Sequence, residues 1–202
     1  MVVAHGAGAG QKSQFMVRTA EGLARRDVAA ATFDFPYMAE GRKIPDRPPV
    51  LEATWRTALE RARTEFRGLP LFIGGKSMGG RIASQVAARR NVGALAGLVF
   101  LGYPLHPPAN PAQRRDQHLP DIAEPVLFVQ GSRDTFGTAG EIRDLLPRLS
   151  RATLHEITGG DHSFKGSAQQ RASRGGPDPT LDGILDVVTT WMKSVVRARD
   201  GA

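Results

Sequence analysis

Leu69-Pro70-Leu71-Phe72-Ile73-Gly74 runs without interruption into Gly75-Lys76-Ser77-Met78-Gly79-Gly80-Arg81, after which Ile82, Ala83, Val86 and Ala87 recur at helical spacing. An apolar strand, a serine between glycines and a helix therefore follow one another with no loop between them. A serine nucleophile needs that arrangement, because it must stand on a tight, strained turn with small neighbours at the end of a strand. Gly75 and Gly79 leave the room, and the helix start offers backbone N–H groups and a positive dipole end to a developing oxyanion. The bare G-x-S-x-G spacing is common in a chain with 23 glycines, so its weight comes from the strand and helix around it.

The same alternation continues on both sides. Strands are expected at Met1 to Ala4, Val28 to Phe33, Leu69 to Gly74, Leu95 to Leu101, Pro125 to Gln130 and Thr153 to Ile157. Between them Leu51, Trp55, Ala58, Leu59, Ala62 and Phe66 recur at three and four residues, as do Leu181, Ile184, Leu185, Val188, Trp191, Met192 and Val195. Shorter helices are expected from an N-cap at Ser13, after Gly79, and around Ile142, Leu145 and Leu146. Repeated strand-helix units predict an α/β fold, doubly wound around a mainly parallel six-stranded sheet in the order 2-1-3-4-5-6, as one domain over residues 1–202. Three long connections follow strands, at Pro36 to Val50, Gly102 to Glu124 and Ser163 to Pro179, and they collect at the carboxyl edge, where ligands bind.

Two further residues reach that edge. Val126-Leu127-Phe128-Val129-Gln130-Gly131-Ser132-Arg133-Asp134 puts Asp134 just past the fifth strand, and Ile157-Thr158-Gly159-Gly160-Asp161-His162 puts His162 past the sixth. Ser77, Asp134 and His162 come in the chain order of nucleophile, acid and base that this strand-turn-helix type uses. Asp161 is an alternative acid, but as the direct neighbour of His162 it is poorly placed to reach that ring's Nδ1, so Asp134 is preferred. His5, His106, His118 and His155 read as structural, turn-stabilising or peripheral.

Rival readings of the glycines fare worse. For a phosphate loop ending in Gly75-Lys76-Ser77, the first glycine would fall at Pro70. For a dinucleotide fingerprint beginning at Gly6, the third glycine would fall at Gln11. No cofactor and no metal are expected. Without cysteine there can be no disulfide, thiolate metal site or cysteine nucleophile. No apolar run approaches the roughly 18 residues of a membrane span, and the start carries no secretory pattern, which leaves the cytoplasm as the default compartment. The net charge of +7 comes from arginine pairs that sit mostly at predicted helix ends, so no nucleic-acid partner is expected. Arg42, Lys43 and Arg47, against Asp46 alone, suggest a preference for anionic substrates.

The chain resembles the α/β-hydrolase superfamily, within its small dienelactone-hydrolase-like group of uncharacterised hydrolases, a group that also includes the hydrolase-like domain of a chromatin acetyltransferase-complex subunit. The resemblance covers nearly the whole chain, through His5-Gly6-Ala7-Gly8-Ala9, Phe35-Pro36-Tyr37, Asp46-Arg47-Pro48-Pro49, Gly75 to Arg81, Gly102-Tyr103-Pro104-Leu105-His106-Pro107, Gln130 to Asp134 and Gly160-Asp161-His162. It implies that Ser77, Asp134 and His162 form a triad and that the N–H groups of Met78 and Ala7 form the oxyanion hole. Gly8, Tyr37 and Met38 are expected to line the substrate site. The chain departs from the superfamily at its amino end, where Met1 already begins the His-Gly strand that one or two antiparallel strands usually precede; either that edge is trimmed or the sequence starts late. No cap domain is expected, because five prolines between Gly102 and Glu124 preclude a long helix there. The expected activity is serine hydrolysis of an ester, thioester or related acyl bond of a small-molecule substrate. The alternatives are a non-catalytic hydrolase-like interaction module and a serine peptidase.

Overall fold

The computed structural model describes residues 1–166 and 180–201. Six strands, β1 (Val2–Ala4), β2 (Ala31–Phe33), β3 (Phe72–Lys76), β4 (Gly97–Leu101), β5 (Val126–Gly131) and β6 (Ala152–Ile157), pair in the order β2-β1-β3-β4-β5-β6. Every pairing is parallel. The helices are α1 (Gln14–Ala24), α2 (Pro36–Ala39), α3 (Pro48–Glu65), α4 (Met78–Ala88), α5 (Ala139–Leu145) and α6 (Thr180–Asp200).

Successive side chains of a strand face opposite ways, and the two faces bury two separate cores. Phe100 and Phe128 join Trp55 and Leu59 of α3, Ile82 and Val86 of α4 and Ile142 of α5. Val99, Leu101, Leu127 and Val129 join Met16 and Leu23 of α1 and Ile184, Leu185 and Val188 of α6. β4 and β5 are covered on both sides, which is why they read in the sequence as continuous apolar runs and not as alternation. Truncating one of these buried leucines to alanine costs about 2–5 kcal/mol, a large part of a domain's stability.

β2 and β3 begin later than the apolar runs suggest. Pro70 has no N–H to give a ladder and Leu69 is exposed, so β3 starts at Phe72 and extends through Lys76, which pairs with Leu101. β2 starts at Ala31, opposite Val2, and leaves Val28 to a turn in which its N–H donates to the Leu23 carbonyl. The connection from Pro36 to Val50 is more ordered than expected, because Pro36 starts α2 and Pro48 starts α3, both at the position where a missing N–H costs nothing. Ser13 stands before α1 with an extended backbone, as expected of an N-cap, but its Oγ caps nothing and is buried without a partner.

The strand order reverses between β1 and β3, and the crevice there lies at the carboxyl ends of the strands. Among the described residues no separate cap domain covers it. The segment after β4 forms a single 3₁₀ turn, Leu119–Asp121. Residues 167–179, most of the third long connection, lie outside the described residues. Among the described residues no helix is long and apolar enough to cross a membrane.

Candidate active site

Ser77 sits between β3 and α4 with φ 50° and ψ −117°, a conformation that a residue with a side chain adopts only when its surroundings hold it there. The surroundings are the two flanking glycines and β1. A Cβ at Gly75 would fall on the Ala4 carbonyl oxygen, and one at Gly79 would meet the Ala4 and His5 carbonyls. The sharp turn is therefore pressed against the neighbouring strand, and its apex carries the serine hydroxyl out to the crevice. Met78 opens α4 directly behind it, and its N–H, the first of the helix, has no intrahelical acceptor.

His162 follows β6. Its Nε2 lies 2.9 Å from Ser77 Oγ and its Nδ1 2.8 Å from Asp134 Oδ2. A carboxylate only accepts, so Nδ1 carries the proton and Nε2 is free to accept from the serine. Asp134 follows β5 and is fully buried. Besides the imidazole it takes hydrogen bonds from Gln130 Nε2 at 3.0 Å and from the Phe136 N–H at 2.8 Å. Asp161 faces elsewhere: its Oδ1 accepts from the Ser163 and Lys165 N–H groups at 2.8 and 2.9 Å and closes the turn that carries His162. The Phe136 ring lies on the imidazole, with centroids 4.3 Å apart and planes inclined by 34°.

A cavity of about 550 Å³ opens over this row. Its walls include Gly6, Ala7, Ser13, Phe15, Met16, Arg18, Lys76, Ser77, Phe136, His162, Phe164, Lys165 and Leu181. Ala7 lines it, and the loop it belongs to lies close to the serine, since a Cβ at Gly6 would stand 3.5 Å from Ser77 Cβ. That loop is braced from below. Asp34 accepts from the Gln11 N–H at 2.7 Å, and buried His5 accepts the Phe35 N–H on Nε2 at 3.1 Å while its Nδ1 donates to the Gly6 carbonyl at 2.8 Å. Burial pushes the His5 imidazole below its ordinary range, which suits a ring whose Nε2 must accept.

Gly8, Tyr37 and Met38, expected to line the substrate site, do not border this cavity. Tyr37 has no exposed surface, and its hydroxyl accepts the Gly8 N–H at 3.4 Å, so it supports the loop from behind. Met38 packs against the core. Arg42 does not border the cavity either and is paired with Glu40 and Asp46. His106 pairs with Glu141 at 3.1 Å, and His118 lies 2.7 Å from the buried Ser84 hydroxyl.

Three residues of this site escape a reading of the sequence. Gln130 is fully buried, holds the Tyr103 N–H on Oε1 at 2.7 Å and presents Nε2 to Asp134. Its signal was a lone amide at the end of an apolar strand, four residues before Asp134. Phe136 left no signal beyond its nearness to Asp134. Lys76, inside the turn motif itself, donates to the His162 carbonyl at 2.6 Å. Among the described residues, no group of three or more His, Asp or Glu side chains converges as a metal site would require.

Residues 1–193 match the family described as "Alpha/beta hydrolase domain". Among solved structures, the chain superposes on dienelactone hydrolase from Anabaena variabilis with a TM-score of 0.70 and 21% identity, covering 96% of this chain and 84% of that one. It superposes on monoacylglycerol lipase from Paleococcus ferrophilus with a TM-score of 0.68 and 17% identity, covering 96% and 93%. For Est1E from Butyrivibrio proteoclasticus the values are 0.67 and 15%, covering 97% and 87%. At these identities the likeness is one of fold.

Proposed function

The chain belongs to the α/β-hydrolase family, and from that premise we propose that it is a serine hydrolase that cleaves an ester, thioester or related acyl bond of a small substrate. The observation that carries this reading is the unbroken row from Ser77 Oγ through His162 to Asp134, with its serine end in the cavity.

In this reaction His162 Nε2 takes the Ser77 proton as Oγ bonds to the acyl carbon. Asp134 holds the ring in the required tautomer and stabilises the imidazolium. The carbonyl oxygen becomes an oxyanion, stabilised by the N–H groups of Met78 and Ala7. Collapse breaks the bond to the leaving group, which departs with the proton from His162 and leaves an acyl-serine. Water then gives a proton to His162 and attacks the acyl carbon, and the proton returns to Ser77 Oγ as the acid leaves. His162 thus serves as base and acid in alternation, and no other proton carrier is needed.

A fluorophosphonate probe tests the assignment, because it reacts only with an activated serine. The expected result is covalent labelling of the folded protein that is lost in Ser77→Ala and kept in Ser163→Ala, the other serine beside His162. Absence of labelling in the folded, unaltered protein would overturn the reading and favour a hydrolase-like interaction module.

A further inference from the structure

Lys76 ends β3 one residue before Ser77, and its ammonium stays at the site. Nζ donates to the backbone carbonyl of His162 at 2.6 Å and lies 5.3 Å from the centre of the Phe164 ring. Asp134, after β5, and Asp161, after β6, both attract it. The neighbouring strand leaves room for it: a Cβ at Gly102, where φ is +70°, would stand 2.8 Å from Nζ, 3.3 Å from the His162 carbonyl oxygen and 3.6 Å from Asp134 Oδ2. A cation taken out of water is unfavourable unless it is paired, and a methionine would fill the same space without that cost. The site nevertheless holds a lysine, and its short hydrogen bond goes to the main chain of the residue whose ring must meet Ser77.

We propose that Lys76 is a positioning residue: it fastens the backbone of His162 to the strand that carries Ser77. This rests on the serine-hydrolase reading above. Holding the carbonyl fixes where the imidazole starts, so Nε2 stays within reach of Oγ while Asp134 sets the ring's tilt from the other side. Displacements of about 1 Å at such a contact are felt in the chemical step as losses of up to about 10²-fold. Burial pulls the Lys76 ammonium down to about 8, which leaves it mostly charged at neutral pH.

The test compares the unaltered protein, Lys76→Met and Lys76→Arg in p-nitrophenyl acetate hydrolysis between pH 5 and 9, with thermal melts to establish folding. For Lys76→Met the expected result is a fall in kcat of about tenfold or more, with KM within about twofold. For Lys76→Arg, which keeps a charge and a donor, kcat should stay within about threefold of the unaltered protein. A kcat for Lys76→Met within threefold of the unaltered protein overturns the proposal. So does an equal loss of kcat in both variants, or a loss carried by KM instead of kcat, either of which would make Lys76 a packing residue only. Lys76→Gln, which keeps a polar head, carries the same readouts where Lys76→Met does not fold. Failure of the underlying reading looks different, because the unaltered protein would then show no Ser77-dependent labelling at all.

Discussion

Replacing Asp134 by asparagine changes one atom at the most enclosed point of the site, and the structure fixes how the amide must sit. Oδ1 accepts the Phe136 N–H at 2.8 Å, so the asparagine oxygen stays there and its NH₂ takes the place of Oδ2. That place now faces two donors, Gln130 Nε2 and His162 Nδ1. Gln130 cannot turn away, because its Oε1 holds the Tyr103 N–H at 2.7 Å and its Nε2 also donates to the Gly137 carbonyl at 2.6 Å. The imidazole is left to give way, by moving its proton to Nε2, where it blocks acceptance from Ser77. Loss of the correct tautomer and of the imidazolium's counter-charge is expected to lower kcat by about 10³ to 10⁴, or roughly 4–5.5 kcal/mol of transition-state stabilisation. The hydrogen bond from Gln130 Nε2 to the buried carboxylate is lost as well, at about 1.5–3 kcal/mol of fold stability, which a urea titration should register separately. Asp161→Asn is the matched control: an asparagine Oδ1 can still accept the Ser163 and Lys165 N–H groups, so less than about threefold should be lost. The assay is kcat and kcat/KM for p-nitrophenyl acetate, with the rate of fluorophosphonate labelling as an independent measure. Activity in Asp134→Asn within tenfold of the unaltered protein, or a larger loss in Asp161→Asn, would refute the assignment of the acid.

Three other outcomes follow from the same geometry. With no cap domain over the crevice among the described residues, p-nitrophenyl acetate or butyrate should be hydrolysed at least as efficiently as the octanoate, because each methylene contributes about 0.8 kcal/mol only when buried; kcat/KM rising through octanoate below its micelle concentration would contradict this. Arg18, Lys76 and Lys165 border the cavity and no carboxylate does so among the described residues, so a carboxylated ester should be preferred over its neutral counterpart, and added salt should erode that preference; equal values at all salt concentrations would dispose of the idea. Burial lowers the proton affinity of His5 and His118 below the ordinary 6.5, aided at His118 by Arg81, so the unfolded chain takes up their protons first as pH falls. Their contribution to stability is complete above about pH 6.5 and declines below it, and a urea midpoint that stays constant from pH 7.5 to 5 would count against this account.

By itself the amino-acid sequence determined the order of strands and helices, the turn at Ser77 and the edge at which Asp134 and His162 arrive. These properties are local or topological: hydrophobic period tells strand from helix, glycines at 75 and 79 permit the turn, and right-handed crossovers send every loop after a strand to one edge. Tertiary structure decided where the side chains point at that edge. The imidazole meets Ser77 across 85 residues of chain and Asp134 across 28, and Lys76 reaches the His162 carbonyl across 86. No periodicity spans such separations. Tyr37 lay in the expected loop, yet its ring went into the core, because an aromatic side chain beside a packed sheet gains more from burial than from lining a wet crevice. Asp161 and Asp134 were both within reach of His162 on the sequence. The choice fell to Asp134 because the Asp161 carboxylate is occupied by the two N–H groups of its own turn, a contact that forms only once the chain has reversed at Phe164.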